Sequence, residues 1–142
     1  MSLKHLTLHN TIRGYFDGTV IPLISGGLPT QYDNDDTFAK PENARWCRFT
    51  ILPGESFQVT VGKNQRYRTP GVASAQVFTP AGAGDAEALG VADTIKDAFR
   101  SLRLGSGIRF RTPSVVPVGR VGDEWQVNVD MPFQADSLDD AP

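Results

Sequence analysis

Cysteine is nearly missing from this chain. Cys47 stands alone among 142 residues, which excludes an internal disulfide and a metal site built from thiolates. Histidine is almost as scarce, and both His5 and His9 fall within the first ten residues. Four apart on a helix they have a ligand spacing, but no third ligand lies near them in sequence, so exposed helix histidines are the expectation. No apolar run approaches the roughly 18 residues of a membrane span, and no charged N-terminal stretch precedes an apolar one, so neither a span nor a secretion signal is expected. The motifs G-x-S-x-G and H-E-x-x-H are absent, and no pair of carboxylates is marked out for acid–base work. These absences leave little room for an enzyme.

Charge of one sign is not in large excess either. The 14 basic and 16 acidic residues give a formal net charge of −2, which rules out a chain that binds nucleic acid through bulk charge. The distribution is uneven, however. Arg45 to Arg111 holds ten Lys/Arg and five Asp/Glu, whereas Val121 to the end holds six acids and no base.

What is present begins with one strong helical signal between Gly84 and Gly105. Leu89, Ala92, Ile95, Phe99 and Leu102 recur at three- and four-residue steps, widened by Val91 and Ala98, while Asp93, Lys96, Asp97, Arg100 and Arg103 take the other side. That pattern predicts a helix lying with one face on a core. Asp85 is the expected N-cap and Gly105 the expected left-handed stop. An earlier helix is expected over residues 2 to about 17, with Leu8, Ile12, Tyr15 and Phe16 on one face.

Between Gly18 and Asn43 no period is visible, which reads as a long loop of functional or mobile character. Asp33, Asp35 and Thr37 within it suggest a calcium loop, but Phe38 stands where glycine is required and Ala44 where a bidentate glutamate is required. A solvated acidic loop is expected instead. After it, Cys47, Phe49 and Ile51 alternate with Trp46, Arg48 and Thr50, and Phe57, Val59 and Val61 alternate with Gln58 and Thr60. Pro53-Gly54 between them predicts a hairpin. Cys47 lies on the apolar side, as a buried inert thiol would.

Gly62 to Thr69 reads as a basic turn carrying Lys63, Arg66, Tyr67 and Arg68. A third strand is expected over Gly71–Phe78, leading to a glycine-bearing loop that lacks the Lys-Ser/Thr of a P-loop and the G-x-G-x-x-G of a dinucleotide site. Residues 108–111 and 113–121 read as further strands. The cleanest alternation comes last, with Trp125, Val127, Val129, Met131 and Phe133 opposed to Glu124, Gln126, Asn128 and Asp130. The expected architecture is a single α+β domain over residues 1–136. It has a mixed, mainly antiparallel sheet of five or six strands, two helices packed on one face, and a flexible acidic tail over 137–142.

Several strings, taken in order, resemble a known family. Leu52-Pro53-Gly54-Glu55 ends a strand, and Phe78-Thr79-Pro80-Ala81-Gly82-Ala83-Gly84 precedes an alanine-rich helix ending Phe99-Arg100. Pro113-Ser114-Val115-Val116-Pro117-Val118-Gly119-Arg120 then leads to Trp125 and to Pro132-Phe133-Gln134-Ala135-Asp136. Over residues 45 to 136 the chain resembles the tail terminator proteins of long-tailed phages. The resemblance implies a virion structural protein assembled in the host cytoplasm, forming a homohexameric ring that caps the tail tube, stops its polymerisation and meets head-completion proteins. It implies no catalytic residue, cofactor, metal or membrane, and DNA that passes through without specific binding.

On that view Tyr32 and Phe38 of the loop, and Lys63, Arg66, Tyr67 and Arg68 of the basic turn, are candidate subunit or partner contacts. The face carrying Glu124, Gln126, Asn128 and Asp130 is a candidate lumen lining, since an acidic and amide bore repels phosphate. Another neck or head–tail connector component is the alternative, and a small α+β enzyme with an unrecognised site a further one.

Overall fold

The computed structural model describes residues 5–59, 66–105 and 107–138. Two helices lie on one face of a mixed, mostly antiparallel sheet of eight strands. The fold class matches the sequence expectation, with a higher strand count. The extra strands are two-residue pieces, β1 (Thr30–Gln31) and β5 (Arg103–Leu104), too short for any alternation to announce them, while β3 (Phe57–Gln58) is the described part of the strand expected from Phe57 onward.

The sheet is built around two long partners. β4 (Arg66–Pro80) and β8 (Glu124–Leu138) are each 15 residues long and run antiparallel in unbroken register from Arg66↔Leu138 to Pro80↔Glu124. β4 therefore starts inside the stretch expected to be a basic turn, and β8 runs two residues into the expected tail; residues 139–142 lie outside the described residues. Beside β4 lie β2 (Trp46–Pro53) and β3; beside β8 lie β6 (Ile108–Phe110) and β7 (Ser114–Val121).

The expected β2–β3 hairpin does not form. Both pair with β4, β2 across Gly71–Phe78 and β3 across Tyr67–Arg68, so they lie end to end along one strand. Pro70 sits at the break between them, where its missing N–H falls in an interrupted ladder and its carbonyl accepts from Gly54 N–H. Thr60 and Val61, expected at the end of the hairpin, lie outside the described residues.

Alternation along these strands places one set of side chains under the helices. Cys47, Val77 and Val127 make one cross-strand row; Phe49, Ala75, Val129 and Val115 make the next; Ile51, Ala73 and Met131 the third. The alanines leave depth for Phe16, whose ring stacks on Phe49 at 4.3 Å. Gly71 serves the same end. A Cβ there would meet Phe133 Cζ at 2.6 Å and the Leu52 carbonyl oxygen at 2.9 Å, so only glycine lets the Phe133 ring cross the strand.

The first helix, α1 (His5–Tyr15), buries Leu8 and Ile12. It continues through a π-helical turn over Phe16–Val20 and a 3₁₀ turn over Ile21–Leu23, and this helical stretch buries Phe16 and Val20. Eight of the 26 residues of the expected aperiodic loop, 18–23 and 30–31, are thus helix or strand. The wider π turn shifts the apolar period, which is why a search for 3.6-residue spacing loses it. The second helix, α2 (Ala86–Phe99), buries Ala88, Val91, Ala92, Ile95 and Phe99. Asp85 holds the cap position without a side-chain cap bond. The helix stops at Phe99, six residues before Gly105, because Arg100 is extended and Ser101 takes the left-handed conformation at φ 54°. Arg103 and Leu104 then pair with β6, and Gly105 serves the turn between them.

One aromatic line ties the layers together. Phe16 reaches Phe99 at 6.4 Å, Phe99 meets Phe110 edge-on at 5.0 Å, Phe110 meets Phe133 at 5.6 Å, and Tyr15 caps Phe99 edge-on at 5.4 Å. Phe99 is fully buried at its centre. Phe99→Ala is expected to destabilise the subunit by about 3–5 kcal/mol, read as a lowered urea midpoint. A conservative Phe99→Leu should recover most of the loss.

Candidate assembly surface

The other face of the sheet carries the polar side chains. Glu124, Gln126, Asn128 and Asp130 of β8 share it, half-buried, with Gln76 and Ser74 of β4 and Arg48 and Thr50 of β2. Their polar atoms are largely engaged with one another. Ser74 Oγ donates to Asp130 Oδ1 at 3.1 Å, Gln126 Nε2 to Asn128 Oδ1 at 2.8 Å, and Arg48 to Gln76 Oε1 at 3.3 Å. Arg111 donates to Gln134 Oε1 at 3.1 Å.

Glu124 bridges two elements. One oxygen accepts from Lys40 Nζ at 3.0 Å and the other from the Trp46 indole N–H. Trp46 stacks on Phe78 at 4.4 Å and is flanked by Phe38 at 5.6 Å, with Arg48 over both rings of the stack at 5.5 and 5.6 Å. Cations so placed are drawn to the negative ring faces. Residues 38–40 thus fold over the outward face and are pinned to it through Trp46 and Glu124.

Elsewhere the same segment is tied to the helical layer. Tyr32 donates from its hydroxyl to Asp17 Oδ1 at 3.2 Å and sets its ring edge-on to Phe49 at 6.0 Å. Burial, followed by the Asp17 charge, pushes the Tyr32 phenol well above its usual range. Arg45 donates to the Gly27 carbonyl and reaches Glu87 in the first turn of α2 at 3.5 Å. Asp33 accepts from Ile51 N–H at 3.4 Å, closing a donor that β1 leaves open on β2. Asp35 closes a local turn with Thr37, whose hydroxyl and backbone N–H hold its carboxyl below the usual range.

The candidate contact residues therefore separate. Tyr32 and Phe38, grouped in one loop in expectation, stand on opposite sides of the sheet, Tyr32 against Phe49 and Phe38 against Trp46. Arg68 faces Asp136 directly across the β4–β8 ladder and grips it with two nitrogens at 2.8 and 3.1 Å. Arg66 and Tyr67 belong to the same strand, and Lys63 lies outside the described residues. Of the expected basic turn, Arg68 is thus held in a cross-strand ion pair. The four residues proposed for a lumen do share one face. Among the described residues Arg48, Arg68, Arg109 and Arg111, with Lys40 from the loop, outnumber Glu124, Asp130 and Asp136 there, so the described part of the face is not the anionic surface that β8 alone suggests.

The remaining sequence candidates are quickly placed. His9 Nδ1 bonds to the His5 carbonyl at 2.8 Å, and no group of three metal-ligating side chains occurs among the described residues. Gly82 and Gly84 take positive φ values of 88° and 85°, and Ala81 N–H bonds to the Asp123 carbonyl, so the glycine-bearing loop is shaped by the turn into α2. Cys47 is completely buried and burial raises its thiol pKa. Among the described residues no helix is long and apolar enough to cross a membrane.

What sequence reasoning missed is the exposed apolar side chains along the sheet, Leu52, Phe57, Val116, Val118 and Val121. Pro117 inside a valine-rich strand is the one sequence signal that marks β7 as an edge.

The fold is a helix-covered sheet whose other face carries polar side chains largely paired with one another. A family model of the phage tail terminator protein matches residues 8–133, and the chain belongs to that family of structural tail proteins. No protein of curated function matches the sequence. A solved structure with no functional description superposes with a TM-score of 0.66 at 23% identity, covering 94% of this chain and 97% of that one. A chain in the virion of a native gene transfer agent particle superposes with a TM-score of 0.51 at 20% identity, covering 93% and 92%.

Two outcomes follow from these contacts. Arg68→Glu sets like charges face to face across the ladder and should lower the thermal midpoint, while Arg68→Lys, which keeps the charge, should lose less. Cys47 should resist a thiol reagent in the native protein and react at the free-thiol rate in denaturant, as followed by absorbance.

Proposed function

We propose that this chain is the subunit of a hexameric ring that caps the phage tail tube, stops its polymerisation and joins it to the head-completion proteins. The observation that carries this is the family match, which runs through every large element of the fold from α1 to β8. The likeness to a chain of a gene transfer agent virion is in keeping with a place in a tailed particle.

A cap of this kind works by shape. The subunit has to be rigid, because its partners recognise a fixed rotation between neighbours, and the long β4–β8 ladder with two helices on one face supplies that rigidity. It also has to let DNA slide. A face with cations in excess would hold phosphate through counterion release. We therefore assign the outward sheet face, including Glu124, Gln126, Asn128 and Asp130, to contact with protein, and place the lining of the passage elsewhere in the ring.

Electron microscopy of particles made without this chain tests the function. Tubes of uncontrolled length are the expected result. Tails of normal length that fail to attach to heads would assign the chain to a connector instead, and particles of normal appearance would end both roles.

A further inference from the structure

Among the described residues, the large apolar side chains left most exposed fall in three places. Leu6 and Leu23 lie in the helical layer, Leu52 and Phe57 at the β2–β3 edge, and Val116, Val118 and Val121 on β7. The last two groups are 43–60% exposed. β2 and β3 flank β4, and β7 flanks β8, so these two patches occupy opposite edges of one sheet.

Two different patches at opposite edges suit a head-to-tail contact. Each copy offers one edge and receives the other, so neither patch has to be complementary to itself, and a fixed rotation per step closes a ring. A twofold dimer would need one self-complementary patch and would leave the other bare.

The charges beside the patches have opposite signs. Glu55 lies in the chain between Leu52 and Phe57, exposed and in no ion pair among the described residues. Arg120 lies between Val118 and Val121, exposed, with its Nε donating to the Gly122 carbonyl of its own turn at 3.1 Å. Among the described residues neither side chain is in an ion pair, in contrast with Arg68, Lys40 and Arg45.

The β7 backbone supports a side-chain contact over indiscriminate strand pairing. No strand lies on its outer side among the described residues, but Pro117 removes a donor, and a register shift falls between Pro117 and Gly119. Proline and a bulge are the usual means by which an edge strand is kept from recruiting any passing chain. With the backbone row broken, the valines and Arg120 decide what binds.

Resting on the ring assignment above, we propose that β7 of one copy docks on the β2–β3 edge of the next copy. Val116, Val118 and Val121 cover Leu52 and Phe57, and Arg120 stands opposite Glu55. Phe57 is level with Asp136 on the central ladder and Val121 with Glu124, so the line joining the patches crosses the strands obliquely. A closed ring made this way sets its strands oblique to the ring axis.

A charge swap in the full chain tests the contact. Glu55→Arg and Arg120→Glu are each expected to weaken self-association about tenfold or more, and the double variant to restore it. Light scattering after size exclusion, over a concentration series with and without tail tubes, reads the change. Val118→Asp should weaken association without rescue by either swap, and circular dichroism checks that each variant is folded. Rings that form equally well from every variant overturn the docking mode while leaving the ring in place. Single variants that fail together with an unrescued double variant overturn the Arg120–Glu55 pairing. A wild-type chain that forms no ring at any concentration, alone or on tube ends, overturns the ring itself and this contact with it.

Discussion

The register between β4 and β8 is the constraint on which the rest of the structure depends. Fifteen residues of each strand face one another without a slip, so one choice of phase assigns every side chain of the central sheet to the helical layer or to the outside. A shift by one residue would bring Glu124, Gln126, Asn128 and Asp130 under the helices and turn Val127, Val129 and Met131 outward. Burying that row of carboxylates and amides without partners would cost far more than the domain's net stability. The alternation in β8 therefore specifies the register, and the register in turn positions β2, β3, β6 and β7, each of which pairs with one of the two long strands.

From that frame the outward face acquires its character by cross-strand pairing. Acids that cluster in sequence find cations that are remote in sequence: Arg68 for Asp136, and Lys40 for Glu124. Such half-exposed pairs add little stability singly. What they do is hold side chains in place. Glu124 links the loop at Lys40 to the buried Trp46, and Arg45 links the segment before β1 to α2, so a long stretch of irregular chain becomes part of a fixed surface. A surface of defined shape suits a structural protein of a phage tail.

The same frame accounts for how the sheet ends. β2 is shielded by β1 and by the Asp33 carboxylate on Ile51 N–H, while β7 is broken by Pro117 and a bulge. Open edges of this size invite aggregation unless blunted. Blunting the backbone leaves apolar side chains exposed at both edges.

How much of this was legible in the chain itself follows from the range of each interaction. The α2 stripe, the alternation of β8 and the apolar side of β2 are written in neighbouring residues, so the α+β class, the helices on one face, the burial of Phe99 and Cys47, and the family resemblance could all be read directly. The π-helical turn after Tyr15, the stop at Ser101 and the end-to-end placement of β2 and β3 could not, because each is decided by what packs against it. The same holds for the candidate contacts. Tyr32 and Phe38 are six residues apart yet are drawn to opposite sides of the sheet by Asp17 and Trp46, and an acidic strand loses its net charge to arginines that only folding brings alongside. Local pattern determined which residues are buried and in what kind of element. Tertiary structure alone decided which polar groups neutralise one another and which apolar ones are left at the edges, since those outcomes depend on strand pairing between residues far apart in the chain.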